Sequence, residues 1–126
     1  MRTKVLTADD SRIIRKIIRG AVEEAGLELL EAGNGQEALD ILEDQYPDIA
    51  VVLLDWNMPV VDGYAVLQRV KGDKRFEHIQ VMMVTTETER ENVLKAIVAG
   101  ADNYITKPFA QEDLAAKILE VLGKGL

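Results

Sequence analysis

Charged and hydroxyl side chains follow four separate apolar runs of this sequence, and their types could bind a metal ion and a phosphoryl group. Asp9 and Asp10 follow the first run, and Asp55 follows the third. Thr85 ends the fourth run, and the fifth leads to Thr106, Lys107 and Pro108. Polar residues are common where strands end, so each of these positions is informative only in combination with the others.

The three acids could form a site for a hard metal ion. Asp9, Asp10 and Asp55 would repel one another if they met, unless a cation lay among them. Cysteine is absent from the sequence, and a ligand set made only of oxygen atoms favours Mg²⁺. A simpler alternative remains open, because Asp10 or Ser11 could cap the first turn of a helix that follows.

Asp55 could also act as a nucleophile, since a carboxylate can form an acyl phosphate. Lys107 could pair with Asp55 and then with an incoming phosphoryl group, while Thr85 could donate its hydroxyl to a phosphoryl oxygen. The alternative is an acid that only ends a strand. A cis Lys107–Pro108 peptide would direct Lys107 toward the site, although Pro108 could equally start the last helix.

The elements that must position these residues alternate along the chain. Segments with apolar residues three or four positions apart lie between the apolar runs and predict five helices that end near Gly26, Pro47, Val70, Gly100 and Gly123. Almost uninterrupted apolar runs are typical of parallel strands buried on both faces. We therefore predict an α/β domain with helices on both faces of a five-stranded parallel sheet. The predicted strands are 4–8, 28–32, 49–54, 79–85 and 103–105.

Composition narrows the class of protein. The 126 residues suffice for one hydrophobic core, so we expect a single domain over 1–126 with no output domain. A net charge of −7 argues against binding to nucleic acid or to an anionic membrane. The first residues contain neither a signal peptide nor a membrane span, which makes a cytoplasmic location the default expectation. We also expect a monomer.

Four segments together resemble the receiver domains of two-component response regulators, and most closely the single-domain regulators of chemotaxis. This resemblance implies a flavodoxin-like doubly wound fold with strand order 2-1-3-4-5. It also implies a switch, not a turnover enzyme, that takes a phosphoryl group from a sensor histidine kinase or a phosphotransfer protein. The four segments are ADDS, LLDWNMPVVDG, VMMVTTE and GADNYITKPF.

The resemblance assigns roles at the carboxyl edge of the sheet. It implies that Asp55 is the phosphoacceptor and that Asp9 and Asp10 organise Mg²⁺ together with Asp55. Asn57 would give the metal its backbone carbonyl. Lys107 would contact the phosphoryl group.

It also implies a switch made of Thr85 and Tyr104, whose ring would change position when the hydroxyl is drawn toward the phosphoryl group. Asn57 and Glu87 occupy the positions that tune hydrolysis in this family. Their polar character leads us to expect that hydrolysis is not suppressed, which the lifetime of phosphoryl-Asp55 tests. Thr86 departs from the small residue common there and could narrow access to Asp55.

Two helices could carry partners. The first helix presents two apolar columns, one more than a core contact needs, and the second column could dock the phosphodonor protein. The fourth helix, with the fifth strand and fifth helix, would bind a downstream protein target. On the solvent side of the fourth helix we expect Glu91 and Lys95 to form an ion pair.

Three other classes of protein are disfavoured by particular residues. A phosphatase with an aspartyl nucleophile would place a second acid two positions after Asp55, where this chain has Asn57. A degenerate receiver would have lost Asp55, Lys107 or the acidic pair Asp9 and Asp10, and all are present. A flavin carrier would need a phosphate-binding loop after the first strand, where Asp9 and Asp10 would repel phosphate. A phosphorelay intermediate or a regulator outside chemotaxis remains an open alternative.

Overall fold

The computed structural model describes residues 2–86 and 90–124, in which strands and helices alternate as predicted. Strand β3 is one residue longer and β5 two residues longer than expected, so Asp55 and Lys107 are themselves the last residues of strands, while β4 has the expected length but lies one residue later. The last helix continues through Gly123, where we had expected it to stop. The elements are β1 Lys4–Ala8, α1 Arg12–Glu24, β2 Glu28–Ala32, α2 Gly35–Gln45, β3 Ile49–Asp55, α3 Gly63–Lys71, β4 Gln80–Thr86, α4 Arg90–Val98, β5 Asn103–Lys107 and α5 Gln111–Lys124.

All five strands are parallel and lie in the order β2-β1-β3-β4-β5, which confirms the expected fold class. The order reverses between β1 and β3, because the chain first extends the sheet on one side of β1 and then on the other. In open parallel sheets, ligands bind outside the carboxyl ends of the strands at such a reversal. The fold therefore directs attention to the ends of β1 and β3.

Strand β3 is apolar without interruption because both of its faces are covered. Val52 and Leu54 pack into one core layer with α2 and α3, while Val51 and Leu53 pack into the other with α1 and α5. Buried aliphatic side chains on both faces hold the strand in a fixed register with β1 and β4. Asp55, at the end of this strand, is therefore mounted on a rigid element.

The helices begin at side chains that accept hydrogen bonds from their first turns. Ser11 accepts from the backbone N–H of Ile14 at 3.3 Å, so Ser11 and not Asp10 caps α1. Asp62 caps α3 in the same way through the N–H of Ala65, at 2.8 Å. Each such cap stabilises a helix by about 1 kcal/mol. Asp10 is thus not required as a capping residue.

The two helices with expected surface roles present different faces. On α1, Ile18 and Val22 are buried, whereas Ile13 is 75% exposed. On α4, the expected pair of Glu91 with Lys95 is wrong: among the residues that the structure describes, the Lys95 ammonium instead lies over the ring of Tyr64. None of the helices in the described ranges combines the length and apolar character needed to cross a membrane.

Candidate functional site

Three carboxylates converge where β1 and β3 end. Ala8 and Leu54 are paired across these two strands, so the residues that follow them emerge side by side. Asp9, Asp10 and Asp55 each offer an oxygen atom, and these oxygens all lie within 4.8 Å of one another. The cluster therefore forms as the sequence predicted.

Lys107 reaches this cluster from the end of β5. Its Nζ lies 3.2 Å from Asp9 Oδ2 and 3.4 Å from Asp55 Oδ1. The Lys107–Pro108 peptide bond is cis. One ammonium group thus contacts two of the three acids.

The cluster carries more negative charge than Lys107 neutralises. Asp9 is 1% exposed, and the Asp55 side chain is 13% exposed. Burial, followed by the charge of Asp9, raises the pKa of Asp55 from 3.8 to about 6, against the opposing charge of Lys107. A carboxylate in this position is costly to ionise until a further cation arrives.

This donor set fits a divalent cation such as Mg²⁺. Its ligand atoms are all carboxylate oxygens, which hard cations prefer, and the site lies at an edge where water can complete the coordination. Asp9, Asp10 and Asp55 are the residues that would hold the ion. Asn57 is exposed just beyond β3, and the role of its backbone carbonyl stays a prediction.

Asp9 is held from several directions. Its Oδ1 accepts a hydrogen bond from the N–H of Ser11 at 2.9 Å, and its N–H donates to the carbonyl of Ala32 at 3.1 Å. The Arg15 guanidinium donates to the Asp9 carbonyl and also pairs with Glu31 at 3.3 Å. Arg15 was not among the predicted site residues, because its only signal was a basic residue one turn into the helix that follows the acids.

The loop after Asp55 folds back closely over the end of β3. The N–H of Gly63 donates to the carbonyl of Trp56 at 2.9 Å, and a Cβ at position 63 would lie 2.2 Å from the carbonyl oxygen of Asp55. Only glycine allows this approach. Val60, which lies between Trp56 and Gly63 in the sequence, has a φ of +71°, an uncommon backbone conformation for a β-branched residue. Its side chain is exposed, at 79% for the residue.

Thr85 and Tyr104 lie on adjacent strands and on the same face of the sheet. Met83 pairs with Tyr104, and Thr85 follows Met83 by two residues, so all three side chains point to one side. The Thr85 hydroxyl is buried and donates to the carbonyl of Thr86 at 3.4 Å. The Tyr104 side chain is 39% exposed, with the Lys117 ammonium 5.5 Å from its ring centroid. Their role as a switch stays a prediction.

The structure describes only one of the two residues that we expected to tune hydrolysis. Asn57 is described and is exposed, two residues after Asp55. Glu87 lies outside the described residues. The tuning role of both residues therefore stays a prediction.

Comparison with known proteins gives a consistent result. A model of the response regulator receiver domain matches residues 5–119. A chemotaxis protein CheY homolog of Campylobacter jejuni is 40% identical over 123 residues, which cover 97% of this chain and 94% of that protein. The phosphate regulon transcriptional regulatory protein PhoB of Pseudomonas aeruginosa is also 40% identical, over 94% of this chain but 51% of its own.

A solved structure agrees with these sequence matches. The chemotaxis response regulator CheY4 of Vibrio cholerae superimposes with a TM-score of 0.86 at 31% identity. The match covers 96% of this chain and 99% of that one. The similarity thus extends over the whole sheet and its helices.

Proposed function

The chain belongs to the response regulator receiver family, and we propose that it is a phosphorylation-activated switch whose phosphoacceptor is Asp55. One observation carries this proposal. Lys107 Nζ lies 3.4 Å from Asp55 Oδ1 within a cluster of three acids at the carboxyl edge of the sheet. That arrangement supplies a nucleophile, a cation to receive a phosphoryl group and ligands for a metal ion.

The proposed reaction is a transfer from a phosphohistidine. An Asp55 carboxylate oxygen forms a bond to phosphorus while the phosphorus–nitrogen bond breaks, and the imidazole leaves with the bonding electron pair. Lys107 neutralises a phosphoryl oxygen, and the Thr85 hydroxyl donates a hydrogen bond to another. Mg²⁺, when bound by Asp9, Asp10, Asp55 and the Asn57 carbonyl, supplies further positive charge. The nucleophile is consumed until hydrolysis, so the protein acts as a switch and not as a turnover enzyme.

The signal would leave the protein through α4, β5 and α5. A hydroxyl drawn toward the phosphoryl group vacates space on the face that Thr85 shares with Tyr104, and the ring can then turn inward. The neighbouring surface of α4 exposes Leu94, Ile97 and Val98, which are 68%, 50% and 89% exposed. Apolar side chains exposed in this number suit a protein partner, and the change in Tyr104 would alter that surface.

We propose chemotaxis as the pathway, because relatives that match over 94% or more of both chains are named as chemotaxis proteins. A regulator of another pathway, or an intermediate in a phosphorelay, is the second candidate. The equal identity to PhoB, a transcriptional regulatory protein, favours keeping this second candidate.

Trp56 provides the test of the phosphoacceptor proposal. It follows Asp55 directly, is 9% exposed and stacks on Tyr64 with ring centroids 5.1 Å apart. We expect its fluorescence to change on addition of Mg²⁺ and again on addition of beryllofluoride, which mimics a phosphoryl group. The beryllofluoride response should vanish in Asp55→Asn. An unresponsive wild-type protein, or a full response in Asp55→Asn, would contradict the proposal.

Ile13 tests where the phosphodonor protein docks. It is 75% exposed on the first turn of α1, close in sequence to Asp10. We expect Ile13→Ser to slow transfer from a histidine kinase or phosphotransfer protein by about tenfold, the effect of losing one interface contact of roughly 1.4 kcal/mol. Phosphorylation by acetyl phosphate, which needs no docking protein, is the internal control. Equal slowing with both donors would remove the docking role.

A further inference from the structure

Three side chains form a continuous column from the residue after Asp55 to helix α4. The ring of Trp56 stacks on the ring of Tyr64, with centroids 5.1 Å apart and planes inclined by 25°. The Lys95 ammonium lies 4.7 Å from the centroid of the Tyr64 ring. We call these three residues the Trp56–Tyr64–Lys95 column. It joins the loop that follows β3, the first turn of α3 and the middle of α4.

The geometry of both contacts falls in the attractive range. Offset aromatic pairs are favourable with centroids about 4.5–7 Å apart. A lysine ammonium within about 6 Å of a ring centroid is attracted by the negative face of the ring. Lys95 is otherwise exposed, and it takes this contact although Glu91 is available one turn away. The ammonium therefore links two helices instead of pairing within its own.

The loop end of the column is fixed to the phosphoacceptor. Trp56 is joined to Asp55 by a peptide bond, and its carbonyl accepts a hydrogen bond from the N–H of Gly63 at 2.9 Å. The indole ring is buried among the residues of the core layer on the α2 and α3 side of the sheet. A displacement of the loop after Asp55 would thus move the ring on which Tyr64 rests, and a displacement of α4 would withdraw Lys95.

We propose that the Trp56–Tyr64–Lys95 column is a latch that favours the arrangement seen here, in which the Tyr104 side chain is partly exposed, and so opposes activation. This inference rests on the proposed phosphoacceptor function. The column shares no residue with the pair Thr85 and Tyr104, and it contacts α4 from α3. A contact made in only one of two conformations shifts their ratio by its own strength, which for an exposed cation–π contact is about two- to fivefold.

The first variant removes the charge of Lys95 and keeps its stem. At saturating Mg²⁺, Lys95→Met should lower the beryllofluoride concentration for half-saturation by about two- to fivefold, because the latch no longer favours the unliganded arrangement. Binding is followed by fluorine NMR, which does not depend on the Trp56 signal. The matched control is Lys74→Met, which removes the same charge from an exposed position in the turn before β4. Its half-saturation should equal that of the wild type.

Variants of Tyr64 separate a latch from a general loss of structure. Tyr64→Phe keeps an aromatic face and should bind beryllofluoride as the wild type does. Tyr64→Leu removes that face and should behave like Lys95→Met, with an altered Trp56 emission spectrum before any ligand is added. The double variant Lys95→Met/Tyr64→Leu should bind no more tightly than Tyr64→Leu alone, because both changes remove one contact.

The outcomes distinguish this inference from the function on which it rests. A wild-type protein that binds beryllofluoride, with an unchanged or higher half-saturation in Lys95→Met, overturns the latch and leaves the phosphoacceptor role intact. Additive effects in the double variant also overturn it. A wild-type protein that binds no beryllofluoride overturns the proposed function itself.

Discussion

Acids and cations lie both at the carboxyl edge of the sheet, where its strands end, and at the amino edge, where they begin. The acids carry excess negative charge at the carboxyl edge, whereas at the amino edge they are paired with cations. At the carboxyl edge, Asp9, Asp10 and Asp55 lie together, and the ammonium of Lys107 contacts two of them. At the amino edge, Asp102 has its own lysine. Lys71 Nζ lies 2.7 Å from Asp102 Oδ2, and the same oxygen accepts the N–H of Val81 at 2.8 Å.

Two further acids at the amino edge, Glu43 and Asp73, are also paired with a cation. The Arg75 guanidinium donates two hydrogen bonds of 2.8 Å to the Glu43 carboxylate and three of 2.7 to 3.2 Å to the Asp73 carboxylate. It also lies over the rings of Tyr46 and Phe76. These bonds from Arg75 lower the pKa of Glu43 and of Asp73, whereas burial raises that of Asp55.

The difference separates acids that are paired with a cation and stabilise the fold from acids whose charge is left uncompensated. Acids with a dedicated partner tie loops and helices together, and their ionised form is favoured. The acids at the carboxyl edge outnumber their partner, so part of their charge stays uncompensated. Such a cluster lowers stability unless another cation binds, which is typical of a functional site.

The largest expected effect comes from breaking a pair at the amino edge. Asp102→Asn leaves an oxygen for the Val81 N–H but removes the charge that faces Lys71. We expect a loss of about 2 kcal/mol in the free energy of unfolding, the usual cost of leaving a half-buried charge without its partner. Denaturant titration measures it, with Asp44→Asn, an exposed acid on α2, as the control. A change in Mg²⁺ affinity would show that the two edges are not independent.

The same substitution at the carboxyl edge should have the opposite sign. In EDTA, Asp55→Asn should raise the free energy of unfolding by about 1 kcal/mol, because it removes a buried charge next to Asp9. Thermal unfolding with and without Mg²⁺ measures this gain, and the added stability that Mg²⁺ gives the wild type should shrink. If Asp55→Asn instead lowers the free energy of unfolding in EDTA, the excess negative charge does not destabilise the folded protein.

The smallest effect is a dependence on pH that differs between the edges. The folded pKa of Asp55, about 6, lies above its ordinary 3.8, so the folded state holds the proton more tightly. In EDTA its contribution to stability is therefore present below about pH 4 and is lost as pH rises toward 6. For Glu43 and Asp73 the lowered pKa has the reverse sign: their contribution is present above their ordinary 4.5 and 3.8 and is lost in acid.

Unfolding by urea between about pH 3 and pH 8 separates these two slopes. Asp55→Asn should remove the fall in stability between about pH 4 and 6, and Arg75→Met should weaken the loss of stability in acid. A slope between pH 4 and 6 that survives Asp55→Asn would assign it to another group.

Much of the fold and of the acid cluster could be predicted because both depend on one physical rule. Parallel strands buried on both faces produce continuous apolar runs, and the polar residue that ends each run must emerge at one edge. Asp9, Asp55 and Lys107 therefore meet although they are far apart in sequence. Strands β4 and β5 end one and two residues later than predicted, because Thr86 and Lys107 have side chains equally suited to a loop.

Other features depend on tertiary contacts and backbone geometry that the local sequence does not predict. Lys95 had two possible partners, and its contact with Tyr64 depends on how closely α3 and α4 approach. Val60 has no residue-type signal for a positive φ, which the tight return of the chain to Gly63 imposes. Gly123 is a common stop signal, yet nothing in the sequence shows that the helix continues past it.

The strand order also has a consequence for the chain as it is synthesised. β1 lies between β2 and β3, so the first 55 residues contain three strands that pair with one another, and with them all three acids of the cluster. Lys107 is added 52 residues after Asp55, which at ribosomal rates is a delay of about 3 to 10 s. During that interval the acids can meet without their lysine. A divalent cation from the surroundings would then stabilise the nascent sheet before the site is complete.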